Sequence, residues 1–192
     1  MIKAIFINGN AMSGKEEFVA AVRKIAENHG IVVCNPSITE SVKFACNRLG
    51  VDVEPVTNKK RKLWKDVKKA WSEYNDGPFR ETVKCIDSLN RSNHHILFVD
   101  VEEPEEFRRF KEYYRDECLT VLIRKHSQTH FLREKDQPHK QEFEYDRVIV
   151  NYGDLDLLEE EARLLFKHLM QRRYGAATFP MEKSNRADAM NI

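Results

Sequence analysis

Seven residues near the start of the chain, Gly9-Asn10-Ala11-Met12-Ser13-Gly14-Lys15, have the spacing G-x-x-x-x-G-K. The chemistry this spacing serves is phosphate binding. Glycines let the backbone curl so that successive amides converge on one anion. The helix that follows adds partial positive charge at its N-terminus, and Lys15 brings an ammonium to the β and γ phosphates. These roles make Gly9, Asn10, Ala11, Met12, Ser13, Gly14, Lys15 and Glu16 the candidate nucleotide-phosphate contacts. Many such loops follow the lysine with Ser or Thr as a magnesium ligand; here the next residues are Glu16 and Glu17. A carboxylate holds magnesium directly or through water but also repels nearby phosphates, so binding is better supported than turnover. A second candidate is Asp100, which closes the apolar run Ile96-Leu97-Phe98-Val99. A carboxylate there organises magnesium or meets an acceptor, or else caps the next turn.

The loop carries this meaning only between a strand and a helix, and both are predicted. Ile2 to Ile7 is an apolar run, and Phe18, Val19, Val22, Ile25 and Ala26 recur at 3.6-residue spacing up to Gly30. Ile31 to Cys34 predicts a second strand. Ser37 or Thr39 would cap a helix carrying Val42, Phe44, Ala45 and Leu49 up to Gly50. A basic helix opens at Lys59 with apolar positions Leu63, Val67, Ala70, Trp71 and Tyr74, and the turn Asn75-Asp76-Gly77-Pro78 ends it. A further helix with Phe79, Val83, Ile86 and Leu89 leads to the strand before Asp100, apolar enough to be buried on both faces and central. Pro104 starts a helix with Phe107, Phe110, Tyr113 and Tyr114; Leu119 to Ile123 is a strand ending at Arg124. Residues 125–145 are polar and read as an excursion over a site. Arg147 to Asn151 is the last strand, and Leu155 to about Tyr174 a long amphipathic helix; 175–192 lack periodicity and read as a loose tail. Strands alternating with helices predict a three-layer α/β domain with a parallel sheet.

Composition narrows the partners. Of 192 residues, 32 are Lys or Arg and 31 Asp or Glu, a net charge of +1, so no global field holds nucleic acid or an anionic membrane. The cluster Lys59 to Lys62 with Trp64 and Trp71 suggests a nucleic-acid surface on its own. The i, i+7 spacing of the tryptophans instead places them in the core. No run of about 18 apolar residues would span a membrane, and the N-terminal apolar run is too short for a signal peptide. Cys34, Cys46, Cys85 and Cys118 form no C-x-x-C pair and are expected as reduced thiols in a cytoplasmic protein. His94, His95, His126, His130 and His139 are too irregularly spaced to predict a metal site.

On Ser13-Gly14-Lys15-Glu16 the chain resembles the P-loop nucleoside monophosphate kinase-like family, in the branch of phage-type deoxynucleoside monophosphate kinase and animal-type phosphomevalonate kinase, where an acid commonly follows the lysine. Lys65, Trp71, Asp100, Arg124 and the segment Asp146-Arg147-Val148-Ile149-Val150-Asn151 extend the resemblance over about residues 1–174. It implies the P-loop NTPase fold, a five-stranded parallel sheet of order 2-3-1-4-5, an acceptor-binding insert at about 37–92 and a lid at about 125–145. It implies an ATP- and magnesium-dependent transfer of the γ-phosphoryl group to a small phosphorylated acceptor, foremost a (deoxy)nucleoside monophosphate. Lys15, Arg124, Arg133 and Asp100 would be catalytic, with Glu16 and Asp100 near the metal. Asp136 and His139 also match lid residues of some deoxynucleotide kinases. Relatives place an arginine shortly after the aspartate, whereas Asp100-Val101-Glu102-Glu103 is acidic. Either Arg61, Lys65 and Arg80 hold the acceptor phosphate, or the acceptor differs. The alternatives are a non-catalytic nucleotide-binding protein and a kinase of a non-nucleotide phosphorylated metabolite. The sequence is silent on oligomeric state.

Overall fold

A computed structural model describes residues 1–52, 54–91, 94–126 and 143–175. Its centre is a parallel sheet of β1 (Ala4–Gly9), β2 (Val32–Cys34), β3 (His95–Asp100), β4 (Cys118–Lys125) and β5 (Arg147–Asn151), in the order β2-β3-β1-β4-β5. This is the three-layer P-loop arrangement the resemblance implies. The helices are α1 (Lys15–Glu27), α2 (Ile38–Arg48), α3 (Asn58–Asn75), α4 (Gly77–Leu89), α5 (Pro104–Tyr114) and α6 (Leu155–Tyr174).

Alternation along β1 explains the layers, because successive side chains of a strand face opposite sides. Ile5 and Ile7 enter the core formed with α1 and α6, where Phe18, Val22, Leu165 and Phe166 are buried. Ala4 and Phe6 enter the core formed with α4 and α5, where Ile86, Phe107 and Phe110 are buried. Both faces of β1 are thus covered, and β1 rather than β3 is the middle strand. β3 is interior, paired with β1 and β2.

Several helix faces depart from the expected pattern. Ser37, not Thr39, caps α2, its hydroxyl oxygen accepting from the Thr39 amide at 3.1 Å. On α2, Val42 and Cys46 are buried, whereas Phe44 and Leu49 are 64% and 78% exposed. The reason is that α2 packs mainly on α3 and α4 and reaches the sheet-side core only through Ile38, so a narrow stripe is covered. On α3 only Trp64 is buried; Trp71 is half-buried beside it, and Leu63 and Tyr74 are exposed. Tyr113 of α5 is likewise exposed, while Phe107, Phe110 and Tyr114 are buried. The expected tail and most of the polar excursion, 127–142, lie outside the described residues.

Among the described residues no helix is long and apolar enough to cross a membrane. The four cysteines are free thiols. Burial pushes the Cys118 thiol up to about 11.

Candidate functional site

A parallel sheet gathers the C-terminal ends of all its strands along one edge, and the turns that leave this edge form the candidate site. The pairing is specific: Ile7 of β1 lies opposite Asp100 of β3, Gly9 opposite Ile123 of β4, and Arg124 opposite Val150 of β5. The loop 9–15 therefore emerges between Asp100 on one side and Arg124 on the other.

The loop backbone is tightly determined. A Cβ added at Gly9 would collide with the Ser13 side chain and the Ile123 carbonyl, so only glycine fits beneath the loop. Gly14, at φ +96°, sits in the left-handed region and turns the chain into α1, and a Cβ there would strike the Asn151 amide. The Ser13 amide donates to the Asn10 carbonyl at 3.0 Å. From the end of β5, Asn151 Nδ2 donates to the Ser13 carbonyl at 3.0 Å, while its oxygen accepts from the Gly153 amide at 2.8 Å. Asn151 thereby braces the loop from behind. Ser13 itself is 1% exposed, and its Oγ has no hydrogen-bond partner among the described residues. The hydroxyl lies beneath the loop, where a Cβ on Gly9 would strike it, so it packs the underside of the turn.

Lys15, the first residue of α1, donates to Asp100 Oδ1 at 2.8 Å. The pair is partly exposed, 22% and 35% for the two side chains, and so remains open to an incoming phosphate. The turn after β2 reaches the same place, since Ser37 forms an isolated bridge with Asp100. The residue before the helical segment 38–89 is thus paired by its backbone with the strand end that carries the carboxylate.

The remaining candidates are distributed around this centre. Asn10, Ala11 and Met12 are exposed at the loop tip, Met12 in a left-handed conformation, and Glu16 and Glu17 are exposed on the first turn of α1. Arg124 is half-buried at the end of β4. Arg61 and Lys65 are exposed on α3 and Arg80 on α4, and none is joined by a hydrogen bond or ion pair to the loop or Asp100 among the described residues. Arg133, Asp136 and His139 lie outside the described residues. Among the described residues no group of three or more His, Cys, Asp or Glu is arranged to hold a metal. Magnesium at Asp100 and Glu16 would need phosphate oxygens or water to complete its shell.

Two participants went unassigned in the sequence. Asn8, 0% exposed on β1, accepts from the Gly9 amide at 2.7 Å and donates through Nδ2 to the Tyr145 hydroxyl at 3.0 Å. Burial pushes the Tyr145 phenol up, and its bond with Asn8 pulls it part of the way back. The legible signal was an asparagine directly before Gly9 in an otherwise apolar strand. Asn151 was visible as part of a motif, without its partner.

A groove of about 600 Å³ between α2, α3 and α4, with Phe44, Trp71 and Cys85 among its walls, shares no lining residue with the loop.

No protein-family model matches the chain, and no curated protein matches it. Solved structures do. A cysteine-to-alanine variant of the APS kinase from Mycobacterium tuberculosis aligns with a TM-score of 0.50 and 15% identity, covering 88% of this chain and 97% of that one. The same enzyme in complex with AMPPNP and APS aligns with a TM-score of 0.50 and 13% identity, covering 88% and 98%. A gluconokinase from Sinorhizobium meliloti aligns with a TM-score of 0.44 and 14% identity, covering 89% and 95%. The first two likenesses are of fold, and they extend over nearly the whole of the neighbour's chain.

Proposed function

We propose that this chain is an ATP-dependent phosphotransferase that moves the γ-phosphoryl group of ATP onto a small phosphorylated acceptor, foremost a (deoxy)nucleoside monophosphate. The observation that carries the reading is the glycine-turned loop between β1 and α1, closed by a lysine that meets a strand-end aspartate at 2.8 Å. The full-length fold likeness to a kinase seen with AMPPNP and APS supports it.

In this reading Lys15 and the loop amides, apart from that of Ser13, hold the donor phosphates. Arg124, and Arg133 from the polar segment, neutralise charge that builds on the transferring group. Magnesium would supply charge neutralisation when bound, and Asp100 and Glu16 are the carboxylates that would hold it. Arg61, Lys65 and Arg80 receive the acceptor's phosphate. Residues 1–174 form one domain, in which 37–92 are the acceptor-binding insert and 125–145 the lid. Because transfer proceeds by positioning and charge neutralisation, no side chain need form a covalent intermediate.

The test is acceptor-stimulated ADP release from Mg-ATP across nucleoside and deoxynucleoside monophosphates, phosphomevalonate and non-nucleotide phosphorylated metabolites. Lys15→Ala is expected to lower turnover by about 10²–10³-fold, the scale of one lost transition-state contact. Undiminished turnover in that variant would remove the mechanism.

A second reading, a kinase of a non-nucleotide phosphorylated metabolite, is favoured by one observation. Glu102 and Glu103 are exposed two and three residues after Asp100, where an anion-binding arginine would otherwise suit a nucleotide phosphate. Stimulation by such a metabolite alone would select it.

A further inference from the structure

Asn8 is an anomaly of the sheet. It is fully buried in the middle strand of five, where an amide costs free energy unless both ends are satisfied. Both are satisfied, and by groups with different roles. The oxygen accepts from the amide of Gly9, the first residue of the phosphate loop, at 2.7 Å. The nitrogen donates to the Tyr145 hydroxyl at 3.0 Å, across 137 positions of sequence. Tyr145 belongs to the stretch that enters β5, and its ring is held edge-on against Phe107 of α5 at 5.2 Å between centroids. Phe143 packs on both, 5.3 Å from Phe107 and 4.9 Å from Tyr145. Asn8 follows Ala4 and Phe6 on the same strand face, so the tyrosine caps the α5-side core directly below the loop.

We propose that Asn8 and Tyr145 are a positioning pair for the phosphate loop: the tyrosine hydroxyl fixes the Asn8 amide, which fixes the Gly9 amide and so the direction in which the chain leaves β1. The two ends of the loop are then braced by two asparagines, Asn8 at its entrance and Asn151 behind Ser13, each carried by a different strand. Neither touches phosphate. Their effect is to set the loop's shape before an anion arrives, which reduces the ordering cost of binding. This inference rests on the nucleotide-binding reading above and adds that affinity depends on a hydroxyl outside the loop.

The test compares Tyr145→Phe, which keeps the ring and removes only the hydroxyl, with Asn8→Leu, which removes both hydrogen bonds at similar volume. Ile86→Val, a packing change in the same core layer, is the stability control. Affinity for fluorescent mant-AMPPNP is read beside the urea midpoint. Tyr145→Phe is expected to weaken nucleotide binding about three- to tenfold and Asn8→Leu more, the scale of one hydrogen bond and then two. Ile86→Val is expected to lower the midpoint and leave affinity unchanged. Wild-type affinity in Tyr145→Phe overturns the pair while leaving the nucleotide-binding reading intact. An affinity loss in Ile86→Val that matches its loss of stability also overturns the pair, by making the effect structural. No binding by the unsubstituted protein overturns the parent reading and this inference with it.

Discussion

Lys15 and Asp100 hold each other at 2.8 Å in a partly exposed pair, an arrangement that contributes on the order of 0–1 kcal/mol to folding. A contact of that size is easily exchanged for a phosphate, so the pair is better suited to function than to stability. Asp100→Asn is accordingly expected to leave the urea midpoint nearly unchanged while lowering turnover more than ATP affinity, as separate kcat and Kd measurements would show. Asp146 is the opposite case. Burial pushes its carboxyl up, but hydrogen bonds from the Lys111 ammonium and from the Thr120 hydroxyl and amide outweigh this and hold it below the ordinary carboxylate value. A carboxyl depressed in the fold stabilises it above the unfolded-state value of about 4, and that contribution is lost as pH falls through the folded-state value. Asp146→Asn is therefore expected to be less stable than the parent by about 1 kcal/mol at pH 7. The gap should close towards pH 3 in a urea series, and a constant gap would exclude the linkage.

In the segment α2–α4 the helices differ in how far they join the core: α4 enters it through Val83 and Ile86 and α2 through Ile38, while α3 stays outside. α3 buries one residue, Trp64, and has no acid in its first turn, where Lys59, Lys60 and Arg61 face the positive end of the helix dipole. That placement is locally unfavourable by a few tenths of a kcal/mol per charge. An anion bound there would relieve it. Specific contacts anchor the segment to α5: Lys68 meets Glu106 at 2.7 Å, and Arg109 bonds Asp76 while its guanidinium lies 4.3 Å from the Phe79 ring centroid. Since Arg61 and Lys65 take no part in this anchoring, the double variant Arg61→Glu with Lys65→Glu is expected to fold normally. It should raise the acceptor KM at least tenfold and leave mant-AMPPNP affinity within twofold. Equal losses of both affinities would place these side chains at the donor instead.

Across the molecule, the described site residues all fall between Asn8 and Gly153, and α6 closes the core behind them through Leu158, Leu165 and Phe166. The phosphate loop, the alternation of strands and helices and the apolar runs were legible in the amino-acid order, because glycine geometry, a helix start and hydrophobic period act over a few residues. Even the sheet order could be expected once the loop indicated a fold. What local pattern could not convey was how far each apolar position would be covered: Phe44, Leu49 and Tyr74 keep helical spacing yet face solvent, since α2 and α3 pack mainly on one another and on α4. The pairing of Lys15 with Asp100, of Asn151 with Ser13 and of Asn8 with Tyr145 spans 85, 138 and 137 positions. Only the parallel register that brings five strand ends to one edge makes these residues neighbours. The chemistry of the loop is thus written in seven consecutive residues, and the shape in which it is held is a property of the folded sheet.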